Sequence, residues 1–162
     1  MVKAAERVVA SLTRAGLKLA LAESCTGGML AAAITDVPGA SACFEASYVT
    51  YSRKAKEGIL GLPSSLLERY GTVSGETASS MAARAREASG SDIACAVTGV
   101  AGPGPDAEGN PEGLVYIACS CGASRTVARR FDLAGNRGEI RAAAVSEALG
   151  LIEEFIKEEG LS

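Results

Sequence analysis

Two short segments hold the side chains best suited to chemistry. Glu23-Ser24-Cys25-Thr26-Gly27-Gly28 combines a hydroxyl, a thiol and paired glycines where an apolar run meets a helical pattern. A nucleophile suits such a turn: the backbone N–H groups that open a helix have no intrahelical partner and can hold an oxyanion or a phosphate. The glycines let a ligand approach the backbone without meeting a Cβ. An ordinary helix N-cap explains the same residues, and no G-x-x-x-x-G-K-[ST] pattern makes this a P-loop. The second segment runs from Tyr48 to Lys56. The chain contains no histidine, which excludes Ser-His-Asp triads, Cys-His dyads and His-ligated metals, so acid–base work falls to Lys, Tyr, Cys, Asp or Glu. Lys54 and Lys56 are the bases within reach of such a serine. Either would need desolvation or a neighbouring cation such as Arg53 to lower its pKa; otherwise it is a solvated helix lysine.

Two further segments carry candidate ligand contacts. Thr98-Gly99-Val100-Ala101-Gly102-Pro103 leaves a predicted strand and enters a Gly/Pro-rich loop, at the strand end where α/β folds place ligands, although a plain connector would read the same way. Arg137 and Arg141 sit four residues apart on one face of a helix's first turn. That arrangement suits phosphate or carboxylate recognition, or a surface ion pair with Glu139.

These segments need elements to position them. Apolar spacing predicts helices over 3–15, 29–35, 53–60, 63–70, 75–88 and 137–158, with Ser74 capping the fifth and Gly16 ending the first. Strands are predicted at 18–22, 44–52 and 92–98, followed by 114–121 and 126–133 as a hairpin turning at Gly122-Ala123. Alternating strands and helices that end in a hairpin predict an α/β fold: a three-layer α/β/α sandwich with a mixed, mostly parallel sheet ending in an antiparallel hairpin. No repeat, linker or low-complexity tract interrupts residues 1–162, so a single domain is expected.

Composition narrows the function classes. Of the 162 residues 48% are apolar, 22% charged and only 4% aromatic, which suits closely packed small side chains. A net charge of −3 and a pI near 5.1 argue against a nucleic-acid or anionic-membrane surface. The five cysteines form no zinc pattern and read as buried thiols. No apolar run is long enough to span a bilayer and Met1 leads directly into an amphipathic helix, so a cytoplasmic protein without metal or cofactor is expected. A homodimer is expected because small symmetric dimers are common.

Taken together, A-E-S-C-T-G-G at 22–28, F-E-x-x-Y-V-x-Y-S-x-x-A-K at 44–56, Y-G-x-V-S at 70–74, T-G-V-A-G-P at 98–103 and G-N-R-x-x-I-R at 135–141 resemble the C-terminal domain of the CinA (competence-damage-inducible) family. The resemblance covers about residues 5–158. It implies the stand-alone form, a nicotinamide-nucleotide amidohydrolase that converts nicotinamide mononucleotide to nicotinic acid mononucleotide and ammonia. The family's N-terminal nucleotide-processing domain has no counterpart in these residues. Carried over by motif, the nucleophile falls on Ser24, the base on Lys56 and an accompanying tyrosine on Tyr51. Glu23, Cys25, Thr26, Gly27, Gly28, Thr98, Gly99, Ala101, Gly102, Arg137 and Arg141 are the expected substrate contacts, one arginine holding the phosphate. Thr98 stands where some relatives have Ser. Cys25 as nucleophile, and a non-catalytic nucleotide-binding module, are the competing readings.

Overall fold

The computed structural model describes residues 2–122, 125–158 and 160. Its elements run α1 (Val2–Ala15), β1 (Leu19–Glu23), α2 (Met29–Thr35), β2 (Phe44–Val49), α3 (Arg53–Leu60), α4 (Ser64–Tyr70), α5 (Gly75–Ser89), β3 (Ile93–Gly99), β4 (Leu114–Cys121), β5 (Arg125–Asp132) and α6 (Arg137–Glu158). The strands form one five-stranded sheet in the order β2-β1-β3-β4-β5. β1 pairs in parallel with β2 and β3, and β4 runs antiparallel to both β3 and β5. The mixed sheet and its closing hairpin agree with the pattern read from the sequence. Of the predicted turn at Gly122-Ala123, Ala123 lies outside the described residues.

The period-2 alternation of the strands sorts side chains into two unlike layers. Leu19, Leu21, Ile93, Cys95, Val97, Val115, Ile117 and Cys119 face α1, α2 and α6 in a core of branched side chains. Ala20, Ala22, Ala94, Ala96 and Ala118 face the other way, against Ala78, Met81, Ala82 and Ala85 of α5, Leu60 of α3, Leu67 of α4 and Leu62 between those two helices. Alanine on both sides of that second interface lets α5 approach the sheet closely, and this is where the alanine-rich, aromatic-poor composition goes. All five cysteines are buried and outside any disulfide, as expected.

Strand ends set the stage for the site. β2 is shorter than predicted: the Thr50 amide makes its last bond to β1, at the Glu23 carbonyl (2.8 Å), and the chain then turns away. The cause lies at Ser52, which is extended and whose hydroxyl accepts from the Ala55 amide to start α3. Ser74 caps α5 in the same way, through the Thr77 amide. At the end of β3, Gly99 answers to packing. A Cβ there would lie 2.6 Å from the Leu114 carbonyl oxygen and 2.8 Å from the Val115 Cα. Gly99→Ala is therefore expected to force β3 and β4 apart and cost roughly 1–3 kcal/mol, as overpacking does. Urea denaturation of the variant measures this; an unchanged midpoint would contradict it.

Candidate functional site

The carboxyl end of β1 is the centre of the site. Glu23 shares the strand face of Leu19 and Leu21, which points it at α2, and it is fully buried. Its carboxylate accepts from the amides of Gly28 (3.0 Å), Leu30 (3.1 Å) and Ala31 (2.8 Å). α2 has no side-chain cap of its own, because its N-cap residue is Gly28 at φ +96°, and Glu23 takes that role from the preceding strand. A carboxylate on three amides at a helix start is doubly favourable, by charge-assisted hydrogen bonding and by the helix dipole. Glu23 thus holds the turn in place, its carboxylate turned to those amides. The Gly28 amide, a candidate oxyanion donor from the sequence, is consumed by it.

One residue later the side chain emerges into a cleft. Ser24 is 7% exposed, and its hydroxyl lies 2.9 Å from Lys56 Nζ. Lys56 Nζ also donates to the Thr50 carbonyl at 2.8 Å. Ser24 Oγ faces the Tyr51 carbonyl at a longer 3.4 Å. Lys56 and Leu60 share the buried face of α3, whereas Lys54 is exposed. Geometry therefore selects Lys56 over Lys54. Lys56 is 1% exposed, and burial lowers its pKa from 10.5 to about 8 against smaller opposing pulls from Cys25 and Glu108. The cationic neighbours expected from the sequence do not drive this shift; removal from water does.

The cleft encloses about 160 Å³ and is lined by Ser24, Cys25, Lys56, Thr98, Gly99 and Ala101, with Tyr51, Arg53, Thr72, Val73 and Asp106 completing it. Thr98 reaches it, but its hydroxyl is spent on the Thr72 carbonyl at 2.7 Å, tying β3 to the turn before α5. The Thr72 amide in turn bonds Glu108 at 2.9 Å, and Asp106 folds that loop by accepting from the amides of Glu108 and Asn110. Cys25 lines the cleft beside the serine, and burial pushes its thiol up to about 11.

Several expected contacts turn out to be braces. Gly27 (φ +59°) and Gly28 shape the turn, and the Gly27 amide closes it on the Ser24 carbonyl at 3.0 Å. Thr26 is fully buried, and its hydroxyl makes no hydrogen bond among the described residues. Arg141 is engaged by the turn: Nε donates to the Cys25 carbonyl (3.0 Å) and Nη2 to the Thr26 carbonyl (2.8 Å). Arg137 is exposed at the rim, donating to the Gly102 carbonyl at 2.6 Å and to the Tyr51 hydroxyl at 2.9 Å. Tyr51 is 57% exposed; it offers Ser24 its carbonyl, and its phenol is held by Arg137 rather than by Lys56. Thr50, Thr72 and Asp106 were not singled out from the sequence. The Y-G-x-V-S motif, whose open position is Thr72, and the Asp-x-Glu-Gly-Asn run at 106–110 are the signals that could have found the last two.

The arrangement pairs a hydroxyl with a buried amine whose proton is easily lost, which is what a serine nucleophile needs in the absence of histidine. Among the described residues no group of His, Cys, Asp and Glu could hold a metal ion, and none of the helices is long and apolar enough to cross a membrane. Holding Lys56 dry costs stability, and the sign follows from linkage. Below pH 8 lysine is charged in both folded and unfolded states, so the burial penalty, on the order of 3 kcal/mol, is fully present. Between about 8 and 10.5 the folded state sheds its proton first and stability is regained. Lys56→Met is therefore expected to be more stable than the natural chain at pH 7, with the gap closing toward pH 10.5. Denaturant titrations of both proteins across that range check it, and a variant less stable at pH 7 would contradict it.

Comparison with known proteins places this geometry. The family model for the CinA C-terminal domain matches residues 1–156. A CinA-like protein of Geotalea uraniireducens is 51% identical over 137 residues, 84% of this chain but 32% of that protein. One from Geobacter sulfurreducens is 48% identical over 134 residues, again 32% of its length. The chain thus spans about a third of the length of the curated relatives it matches. Among solved structures, the competence/damage inducible protein CihA from Agrobacterium tumefaciens superposes with a TM-score of 0.88 at 38% identity, covering 93% of this chain and 92% of that one. A CinA superfamily protein from Klebsiella pneumoniae gives 0.93 at 30% identity, over 97% and 98%. The chain belongs to the CinA C-terminal domain family.

Proposed function

We propose that the chain hydrolyses the carboxamide of nicotinamide mononucleotide, using Ser24 as nucleophile and Lys56 as its base. The observation that carries this reading is the 2.9 Å contact between Ser24 Oγ and a buried Lys56 amine with a pKa of about 8. At pH 7 roughly a tenth of such a lysine is neutral, far more than for an exposed one. Neutral Lys56 takes the hydroxyl proton as Oγ attacks the amide carbon. The resulting ammonium returns the proton to the departing nitrogen, and ammonia leaves an acyl-serine. Water then enters and attacks the acyl carbon as Lys56 takes its proton; Lys56 returns that proton to Ser24 Oγ as the acyl–oxygen bond breaks and the acid leaves. Thr50 orients the base throughout by accepting its second hydrogen bond.

Cys25 serves this reading as a wall. Its thiol, held near 11, stays protonated at neutral pH, and the thiolate is the reactive form. The cleft of about 160 Å³ is smaller than the roughly 300–1,000 Å³ of pockets that enclose a whole drug-sized ligand. It suits a ring bearing a carboxamide, with ribose and phosphate outside. The cations beside that mouth are Arg53 and Arg137, and with Arg141 engaged on the turn, Arg137 is the family-motif arginine left for the phosphate.

Ammonia release from nicotinamide mononucleotide, compared with nicotinamide, its riboside and glutamine, tests the proposal. Turnover confined to the nucleotide is expected, unaffected by EDTA; no release from it would overturn the assignment. Ser24→Ala and Lys56→Arg should both abolish turnover, the latter because guanidinium keeps its proton, while Cys25→Ala and Lys54→Ala keep most of it. Because the active lysine is the neutral one, kcat/KM should rise with pH to a plateau above about 8. A rate that falls over that range, or an active Lys56→Arg variant, would contradict the dyad.

A further inference from the structure

The turn that carries Ser24 is gripped from two sides. Glu23 holds the amides of residues 28, 30 and 31, and Arg141, from another part of the chain, holds the carbonyls of residues 25 and 26. In a trans peptide the N–H points opposite to the C=O of the same unit. Fixing the Cys25 carbonyl on Arg141 therefore aims the Thr26 amide away from the guanidinium. Fixing the Thr26 carbonyl aims the Gly27 amide back into the turn, where it bonds the Ser24 carbonyl. That last bond turns the Ser24–Cys25 peptide so that the Cys25 amide points away from Gly27. Among the described residues, neither the Cys25 nor the Thr26 amide is spent on a hydrogen bond of the turn. Cys25, the residue after Ser24, lines the cleft beside the serine.

We infer that Arg141 is a positioning residue for the oxyanion site: its guanidinium locks two successive peptide planes so that the Cys25 and Thr26 amides are pre-aimed at the charge that develops when Ser24 attacks. Its planar fork matches the task, since two nitrogens of one rigid group reach two consecutive carbonyls. The seat is close, because a Cβ on Gly27 would lie 3.4 Å from Arg141 Nη2. Arg141 also stands in the first turns of α6, the positive end of that helix, where a cation is locally unfavourable; the two carbonyls offset that disadvantage. The inference rests on Ser24 being the nucleophile of the proposed reaction and replaces phosphate binding as the task of this arginine.

Arg141→Ala and Arg141→Lys test it against the natural chain in two assays. In turnover, both variants should lose kcat by about 10²-fold, the scale of one lost oxyanion donor, with KM within a few-fold and the pH midpoint still near 8. Lysine should not rescue, because a point ammonium cannot bridge two carbonyls as a fork does. In the second assay a fluorophosphonate, which needs no nucleotide recognition, should label Ser24 of the natural chain and label both variants slower by a similar factor. Thermal melts of all three proteins ensure that folded samples are compared. A rise in KM with kcat intact would make Arg141 a phosphate ligand and overturn the inference, as would undiminished labelling of Arg141→Ala. A natural chain that does not label at Ser24 would sink the proposed nucleophile itself, and the inference with it.

Discussion

A lysine amine held almost completely out of water is the constraint on which the rest of this molecule turns. Among the described residues, the Lys56 amine bonds one hydroxyl and one carbonyl, and neither brings the full negative charge that normally accompanies a buried ammonium. Burial without a counter-ion is unfavourable for the charged form, so the amine is pushed toward neutrality. Everything near it serves that end. β2 stops at Val49 so that the carbonyls of Thr50 and Tyr51 are left unpaired by the sheet, and Ser52 starts α3 so that Lys56 points inward. The carboxylates in the neighbourhood are turned elsewhere, Glu23 to the amides of α2 and Glu108 to Thr72.

The scaffold explains how so small a chain can hold such a site rigidly. The two strands adjoining the reacting groups, β1 and β3, lie in the middle of the sheet and are covered on both faces. Alanine packing against α5 brings that helix, and the turn before it, close to the strand ends, so that Thr72 and Val73 form a wall of the cleft. Bonds from Thr98, Glu108 and Arg137 then cross between segments distant in sequence. The proposed chemistry is local to one serine and one lysine, but their separation is set by packing over the whole sheet.

Much of this was legible in the sequence, and what was not has physical causes. Periodicity and short apolar runs located the α-helices and strands of the described residues, though not the 3-10 turn at Ala40–Ala42, and the Ser74 cap followed from residue type alone. The absence of histidine left lysine as the base, and family motifs then separated Lys56 from Lys54. Contacts made by the backbone were out of reach. Glu23 reads as a polar residue beside a serine; that it caps the next helix depends on the strand face it occupies. Arg141 and Arg137 look equivalent at i and i+4, yet one reaches carbonyls of the nucleophile turn and the other a surface tyrosine, because α6 crosses that turn at its first residues. Gly99 resembled a ligand-approach glycine, and its constraint comes from β4, a partner visible only in the fold. Tyr51 presents its carbonyl to the site and its ring to solvent, a distinction that no motif encodes.

The account stands on Lys56 titrating far below an ordinary lysine in the folded protein. The most direct measurement is an NMR titration of the lysine side-chain ε-carbons, with the Lys56 signal assigned by its loss in Lys56→Met. A midpoint near 8 for that lysine, well below the ordinary lysine value of 10.5, is the expected result. A Lys56 midpoint at 10.5 would mean that the amine is charged at neutral pH, and the proposed Ser24–Lys56 dyad would have to be abandoned.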